Sequence, residues 1–108
     1  ILSGFSAGGY PMYYTGLRHP DRFDMLIARG CNSSLDIFEK TPVTEAAQKM
    51  PIVIFWGKDD MKHIQRQSWQ AYRWLREHRL FETQRKEVRG GHLRRPEVAW
   101  ELWKSRGK

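Results

Sequence analysis

An α/β fold, with a mostly parallel sheet flanked by helices, is the architecture that this sequence predicts. Apolar runs typical of buried strands alternate along the chain with segments of helical periodicity. The clearest strand, residues 52–56, is apolar at every position, and strands buried on both faces are characteristic of parallel sheets. Parallel neighbours need long crossover connections, and the helical segments between the strands would supply them.

Four strands and four helices are predicted in alternating order. The strands cover residues 1–4, 25–28, 52–56 and 81–88, of which the last alternates weakly and resembles an edge strand. The helices run from near Ser6 to residues 18–20, over residues 44–49, from Ile64 to residues 78–79, and from Pro96 onward. Residues 35–50 have the most ambiguous pattern of the chain.

Composition excludes several classes of protein. The 108 residues suffice for one domain, and a single cysteine, Cys31, excludes a disulfide framework and a cysteine metal cluster. No apolar run approaches the roughly 20 residues that a membrane span requires. The net charge of +7 is concentrated late, with eight Lys or Arg and three Glu in residues 85–108. No nucleic-acid-binding motif accompanies that charge, so we expect a solvated basic surface and no specific nucleic-acid partner.

Three glycines surround a serine at residues 4–10, Gly-Phe-Ser-Ala-Gly-Gly-Tyr, between the first predicted strand and the first helix. So sharp a strand-to-helix turn strains the central residue and projects its side chain outward. We expect glycine at positions 4 and 8 because side chains there would collide with the turn. The hydroxyl of Ser6 would then lie at a helix N-terminus, which favours a developing oxyanion. A phosphate-binding loop does not fit, because the lysine and the spacing that it needs are missing.

A serine hydroxyl is a weak nucleophile without a base, and the base needs an acid to orient it. Asp59 and Asp60 follow the clearest strand, and His92 follows the last strand in a Gly-Gly-His sequence. The carboxyl ends of parallel strands meet at one sheet edge, which is where α/β proteins place their sites. Three other histidines, at positions 19, 63 and 78, are alternative bases, and Cys31 is a rival nucleophile.

The sequence Gly4-Phe5-Ser6-Ala7-Gly8 resembles the nucleophile elbow of the α/β-hydrolase family. Residues 17–23, Pro51 and residues 57–60 are also similar to segments of that family. The resemblance covers essentially all of residues 1–108. It implies a partial α/β-hydrolase fold, the C-terminal part of a single catalytic domain from the elbow onward, with the N-terminal strands missing.

The resemblance also implies the role of each site residue. Family members carry the serine, the acid and the histidine in that order, which assigns Ser6 as nucleophile, Asp60 as acid and His92 as base. Asp60 has the Gly-x-x-Asp spacing of the family, and Asp59 is the alternative acid. The backbone N–H of Ala7 would supply half of the oxyanion hole, and the other half would come from an earlier loop that these residues do not include.

The implied activity is that of a serine hydrolase without metal or organic cofactor, acting by acyl transfer on a small carboxylic ester. Within the family the chain is most similar to the esterase and poly(hydroxyalkanoate)-depolymerase-like or peptidase-like branches. A serine peptidase acting on a peptide is therefore the near alternative. A non-catalytic module that binds an acidic partner through its basic C-terminal surface is the alternative from a different class. Localisation stays open.

Overall fold

The computed structural model describes residues 1–105 and confirms the α/β architecture with its mostly parallel sheet. The four strands are β1 (Leu2–Phe5), β2 (Leu26–Arg29), β3 (Ile52–Gly57) and β4 (Thr83–Val88). The helices are a 3-10 turn (Ser6–Gly8), α1 (Gly9–Arg18), α2 (Leu35–Glu39), α3 (Glu45–Gln48), α4 (Lys62–Glu77) and α5 (Pro96–Ser105). The ambiguous segment at residues 35–50 thus forms two short helices, α2 and α3.

The strands are ordered β1-β2-β3-β4, and each pairs with its neighbour in parallel. Gly4 lies opposite Ala28, Ala28 opposite Ile54, and Ile54 opposite Arg85. With all four strands running the same way, their carboxyl ends share one edge of the sheet. The segments that follow each strand, among them the serine turn and the Gly-Gly-His sequence, are therefore neighbours in space.

Two apolar layers cover the sheet. The larger lies under α1, α2 and α4, and its largest fully buried side chains include Tyr13, Phe38 and Trp56. The smaller lies under α5 and is built around Ile27 and Phe55. Adjacent residues of β2 and β3 enter opposite layers, which is why these strands are apolar at nearly every position.

Strand β4 forms one edge of the sheet in the described residues, as its weak alternation predicts, and only Thr83 and Val88 of it are buried. Strand β1 forms the other edge. Among residues 1–105, none of the helices has both the length and the apolar character needed to cross a membrane.

Candidate active site

The backbone at Ser6 is in the left-handed region, with φ of 56°. Strand β1 ends at Phe5, and Ser6 opens the 3-10 turn that leads into α1. The amide of Asn32, from the loop after β2, donates a hydrogen bond of 2.8 Å to the carbonyl of Ser6. A residue with a side chain is held in this conformation only where its surroundings over-determine it, and such residues cluster at functional sites.

Two glycines make this turn possible, but they are not the expected pair. A Cβ at Gly4 would lie 2.6 Å from the carbonyl oxygen of Gly8, so the expectation for position 4 is confirmed. The expectation for position 8 is wrong, because a Cβ there would meet no atom within 4 Å in the described part of the chain. Instead, a Cβ at Gly9 would lie 2.3 Å from the carbonyl oxygen of Asn32. Sequence reasoning missed this because the contact joins segments that are far apart in the chain.

Ser6, His92 and Asp60 come together at the carboxyl edge of the sheet. The hydroxyl of Ser6 lies 2.9 Å from Nε2 of His92, and Nδ1 of His92 lies 2.8 Å from Oδ1 of Asp60. The two atoms are close enough for a hydrogen bond, but the N–H of Nδ1 does not point well at the oxygen, so the hydrogen bond is poorly formed. With the proton on Nδ1, Nε2 is free to accept the proton of the serine hydroxyl.

The side chain of Asp60 is only 1% exposed. Its Oδ1 also accepts a hydrogen bond of 2.7 Å from the amide of Met61, at the residue before α4. A carboxylate fixed by a backbone amide and withdrawn from water can hold a neighbouring imidazole in one orientation. Gly30, with φ of 53°, borders this contact, because a Cβ there would lie 2.9 Å from Oδ2 of Asp60.

His92 lies in residues 89–95, between β4 and α5, which we call the histidine loop. The beginning of the loop packs directly on the end of β3, since a Cβ at Gly57 would lie 2.2 Å from the carbonyl oxygen of Gly90. The amide of Asp59 donates to the same carbonyl at 3.0 Å. This backbone contact brings the segment that carries Asp60 alongside the segment that carries His92.

Two arginines hold the rest of the histidine loop, and sequence reasoning missed both. Arg29 donates from Nη1 to the carbonyl of Arg94 at 2.7 Å and from Nε to the hydroxyl of Ser3 at 2.9 Å. Arg95 donates from Nη1 to the carbonyl of Arg89 at 2.6 Å, across the base of the loop. The only sequence signal for Arg29 is a charged residue at the end of an otherwise apolar strand.

Phe5, the residue before the serine, also contacts the histidine. Its ring stacks on the imidazole of His92 with centroids 4.7 Å apart. Because successive side chains of a strand point to opposite faces, Phe5 lies on the face of β1 opposite to Gly4. The stack limits the positions that the imidazole can occupy beside Ser6.

The remaining candidates lie away from this cluster or are unsuited to it. Asp59 is exposed, and its side chain makes no hydrogen bond or ion pair within residues 1–105. The other three histidines are exposed: His19 follows the end of α1, His63 lies in the first turn of α4, and His78 follows the end of α4. Cys31 is buried, its thiol donates to the carbonyl of Gly4 at 3.2 Å, and burial raises its pKa to about 12. In the described residues, no group of three His, Cys, Asp or Glu side chains is placed to hold a metal ion.

This sheet, with its serine turn after β1, has the α/β-hydrolase fold in part, as the sequence resemblance implies. No family model matches the chain, and neither does any curated protein sequence. Among solved structures, the chain is similar to acyl-protein thioesterase 2 of Zea mays, at 15% identity and a TM-score of 0.70, over 94% of this chain and 52% of that one.

Two further solved structures are similar to this chain. A SOBER1 variant of Arabidopsis thaliana matches at 22% identity and a TM-score of 0.74, over 94% of this chain and 49% of that one. A ferulic acid esterase matches at 20% identity and a TM-score of 0.63, over 95% of this chain and 45% of that one. The chain therefore spans about half the length of the solved chains that it matches. At these identities the similarity establishes the fold.

Proposed function

We propose that this chain carries the nucleophile, acid and base of a serine hydrolase that acts by acyl transfer on carboxylic esters. The observation that supports this most directly is the 2.9 Å distance between the Ser6 hydroxyl and Nε2 of His92. That distance allows the imidazole to take the hydroxyl proton as the oxygen attacks a carbonyl carbon. The roles of the individual residues are proposals that follow from this geometry.

In the proposed first step, Ser6 attacks the ester carbonyl while Nε2 of His92 takes its proton. The buried carboxylate of Asp60, beside Nδ1, stabilises the imidazolium that forms. The negative charge that develops on the carbonyl oxygen needs hydrogen-bond donors. Ala7 follows Ser6 at the start of the 3-10 turn, where backbone amides have no partner within the helix, so its N–H is a suitable donor.

In the proposed second step, the tetrahedral intermediate collapses, and His92 returns its proton to the leaving alcohol. Water then attacks the acyl group on Ser6 with His92 again acting as base, which releases the acid and restores the serine. No cofactor takes part in these steps.

We also propose that residues 1–108 form the C-terminal part of one catalytic domain. The chain spans 45–52% of the solved chains cited above, and β1 has a partner on one side only within the described residues. A second oxyanion donor would come from an earlier part of such a domain. Two of these similar structures are an acyl-protein thioesterase and a ferulic acid esterase, which favours an ester or thioester over a peptide as the substrate.

The proposal is tested on the complete catalytic domain that contains residues 1–108, by covalent labelling with a fluorophosphonate and mass-spectrometric mapping of the adduct. We expect modification at Ser6 alone, and complete loss of labelling in Ser6→Ala. Ser34→Ala is the matched control, because Ser34 makes no capping hydrogen bond at the start of α2. In the complete domain, an adduct elsewhere would show that Ser6 is not the nucleophile, and the absence of any adduct would favour the non-catalytic alternative.

The two aspartates offer a second test. Asp60→Asn should lower the rate of labelling by roughly 10⁴-fold, because the amide holds the wrong histidine tautomer. Asp59→Asn should leave the rate unchanged, since Asp59 is exposed and its side chain makes no hydrogen bond or ion pair within residues 1–105. The reverse result would assign the acid to Asp59. Turnover of a p-nitrophenyl ester, compared with that of a p-nitroanilide peptide, separates the esterase from the peptidase.

A further inference from the structure

The outer face of α4 carries a stripe of basic and aromatic side chains. Its members recur at helical spacing, at positions i, i+4, i+7, i+11 and i+14, and they are Lys62, Arg66, Trp69, Arg73 and Arg76. The basic residues are exposed, and Trp69 is half-buried. At 1.5 Å per residue, the stripe is roughly 21 Å long. The opposite face of the helix, with Ile64 and Leu75, is in the core.

Arginines and aromatic rings alternate across this face in what we call the arginine–aromatic ladder, with the members Arg73, Trp69, Arg85, Tyr72, Arg76 and Phe81. The guanidinium of Arg85, from β4, lies 4.1 Å from the ring centroid of Trp69 and 5.7 Å from that of Tyr72. Arg73 lies 5.7 Å from the Trp69 ring. Arg76 lies 5.9 Å from the ring of Tyr72 and 5.7 Å from that of Phe81.

The charges of this face are not neutralised locally. Residues 62–85 contain six Lys or Arg and two Glu. Over residues 1–105, no ion pair involves any of these six basic side chains. The ladder arginines are held by rings and, for Arg76, by a hydrogen bond of 2.8 Å to the carbonyl of Phe81. A guanidinium held on a ring keeps N–H groups at its edge, and these suit the oxygens of a phosphate.

We propose that this face binds the surface of a membrane that contains anionic phospholipids. Clusters of four to eight basic residues on an amphipathic helix are attracted to such surfaces, and the outer face of α4 carries four, Lys62, Arg66, Arg73 and Arg76. Phe81, at the end of the ladder, is 60% exposed and offers an aromatic side chain to the interface. The inference is independent of the hydrolase proposal, since it uses none of the residues of that site.

The ladder argues against a single-stranded nucleic acid as the occupant. Proteins that bind such strands stack bases on free aromatic rings. Here, two guanidinium groups lie against the ring of Trp69 and two against the ring of Tyr72, so the protein itself already occupies them. Phosphate contact without base stacking is what a lipid headgroup requires.

Sedimentation of the purified protein with vesicles tests the proposal. We expect binding at low salt to vesicles of phosphatidylcholine and phosphatidylserine, no binding to vesicles of phosphatidylcholine alone, and weaker binding as salt is added. The variant Arg73→Gln/Arg76→Gln/Arg85→Gln should bind roughly 100-fold more weakly, at about fivefold for each charge removed. Phe81→Ser should weaken binding without altering its salt dependence.

The matched control is Arg22→Gln/Lys40→Gln/Lys86→Gln, which removes the same charge from exposed positions outside the ladder. We expect it to retain most of the binding, and circular dichroism checks that both variants keep their helix content. Absence of binding at low salt, or an equal loss in the control, would overturn the proposal. Tighter binding to single-stranded DNA or to polyglutamate than to the vesicles would also overturn it and would assign the face to a nucleic acid or an acidic protein.

Discussion

The two segments that meet at the site, the serine turn (residues 4–9) and the histidine loop (residues 89–95), are held in different ways. In the serine turn, backbone packs on backbone, at separations that leave no room for a Cβ at Gly4 or Gly9. The histidine loop begins with one such contact, at Gly57, but its far end depends on the side chains of Arg29 and Arg95.

This difference has a consequence for how each segment responds to change. A backbone contact below 3 Å cannot accept one more atom unless the surrounding structure moves. A loop held by arginine side chains can lose one hydrogen bond at a time, and each loss lowers the stability by a modest amount. The position of Ser6 is therefore fixed mainly by sterics, whereas the position of His92 depends on the arginine hydrogen bonds as well as on the Phe5 stack.

The largest effect is expected from breaking the serine turn. Gly9→Ala would force a methyl group into the carbonyl of Asn32 and should cost about 3 kcal/mol of stability or more. A shift of Ser6 by about 1 Å should slow fluorophosphonate labelling roughly 100-fold. Gly8→Ala is the control, because its Cβ meets nothing nearby in residues 1–105, and it should match the wild type. Urea unfolding and labelling rates measure both, and equal effects at the two glycines would contradict the steric account.

A smaller effect is expected from releasing the histidine loop. Arg29→Ala removes the hydrogen bonds to the carbonyl of Arg94 and to Ser3, at a cost of about 2 kcal/mol. Labelling of Ser6 should slow roughly tenfold as the imidazole moves away from the hydroxyl. Arg94→Ala keeps the backbone carbonyl of residue 94 that Arg29 binds, so it should retain the wild-type rate of Ser6 labelling. A loss in Arg94→Ala as large as that in Arg29→Ala would show that the hydrogen bonds of Arg29 are not what positions His92.

Cys31, which contacts the serine turn through the carbonyl of Gly4, should have little effect on the labelling of Ser6. Burial raises the pKa of its thiol from 9.0 to about 12, so the thiol is neutral at pH 7 and reacts slowly with iodoacetamide until the protein unfolds. A raised pKa means that the folded state binds the thiol proton more tightly than the unfolded state does. The resulting contribution to the free energy of unfolding is present below pH 9 and is lost as pH rises toward 12. Cys31→Ser keeps a donor for Gly4 and should leave labelling unchanged. Rapid alkylation of the folded protein at pH 7 would contradict this.

The smallest effect is expected at the end of the histidine loop. A hydrogen bond from Arg95 holds the pKa of the exposed Glu97 below its ordinary value of 4.5. Its contribution to stability is therefore present above pH 4.5 and is lost as pH falls through the lowered value. Urea midpoints of the wild type and of Glu97→Gln should differ slightly at pH 7 and converge at low pH. A difference that persisted at low pH would rule out this pair as its source.

Much of the fold could be predicted because it depends on patterns that are local in the chain. The apolar run at residues 52–56 predicted a strand buried on both faces, and β3 is one. Helices α2 and α3 were harder to predict, since helices of five and four residues are unstable alone and depend on packing. For α2 that packing comes from Phe38, whose ring contacts Tyr13 and Trp74, residues distant in sequence.

At the candidate site, too, the features that depend on local sequence could be predicted, and those that depend on contacts between distant residues could not. Ser6, Asp60 and His92 were chosen from motif spacing and chain order, and the structure places their side chains together, while their catalytic roles stay a prediction. The requirement at Gly9 and the hydrogen bonds from Arg29 could not be predicted. The atom that excludes a Cβ at Gly9 belongs to Asn32, and the carbonyl that Arg29 holds is 65 residues further along the chain.

The order of the strands also bears on when the site can form. Ser6 and His92 are 86 residues apart, and three successive crossovers must close before their side chains can meet. Contacts at such separation form late and slow the folding of a domain, because the entropy of each loop is lost before the contact is gained. We therefore expect the contact between Ser6 and His92 to be among the last to form as the chain folds. Under the proposed mechanism, the Ser6 hydroxyl would become reactive only at that stage.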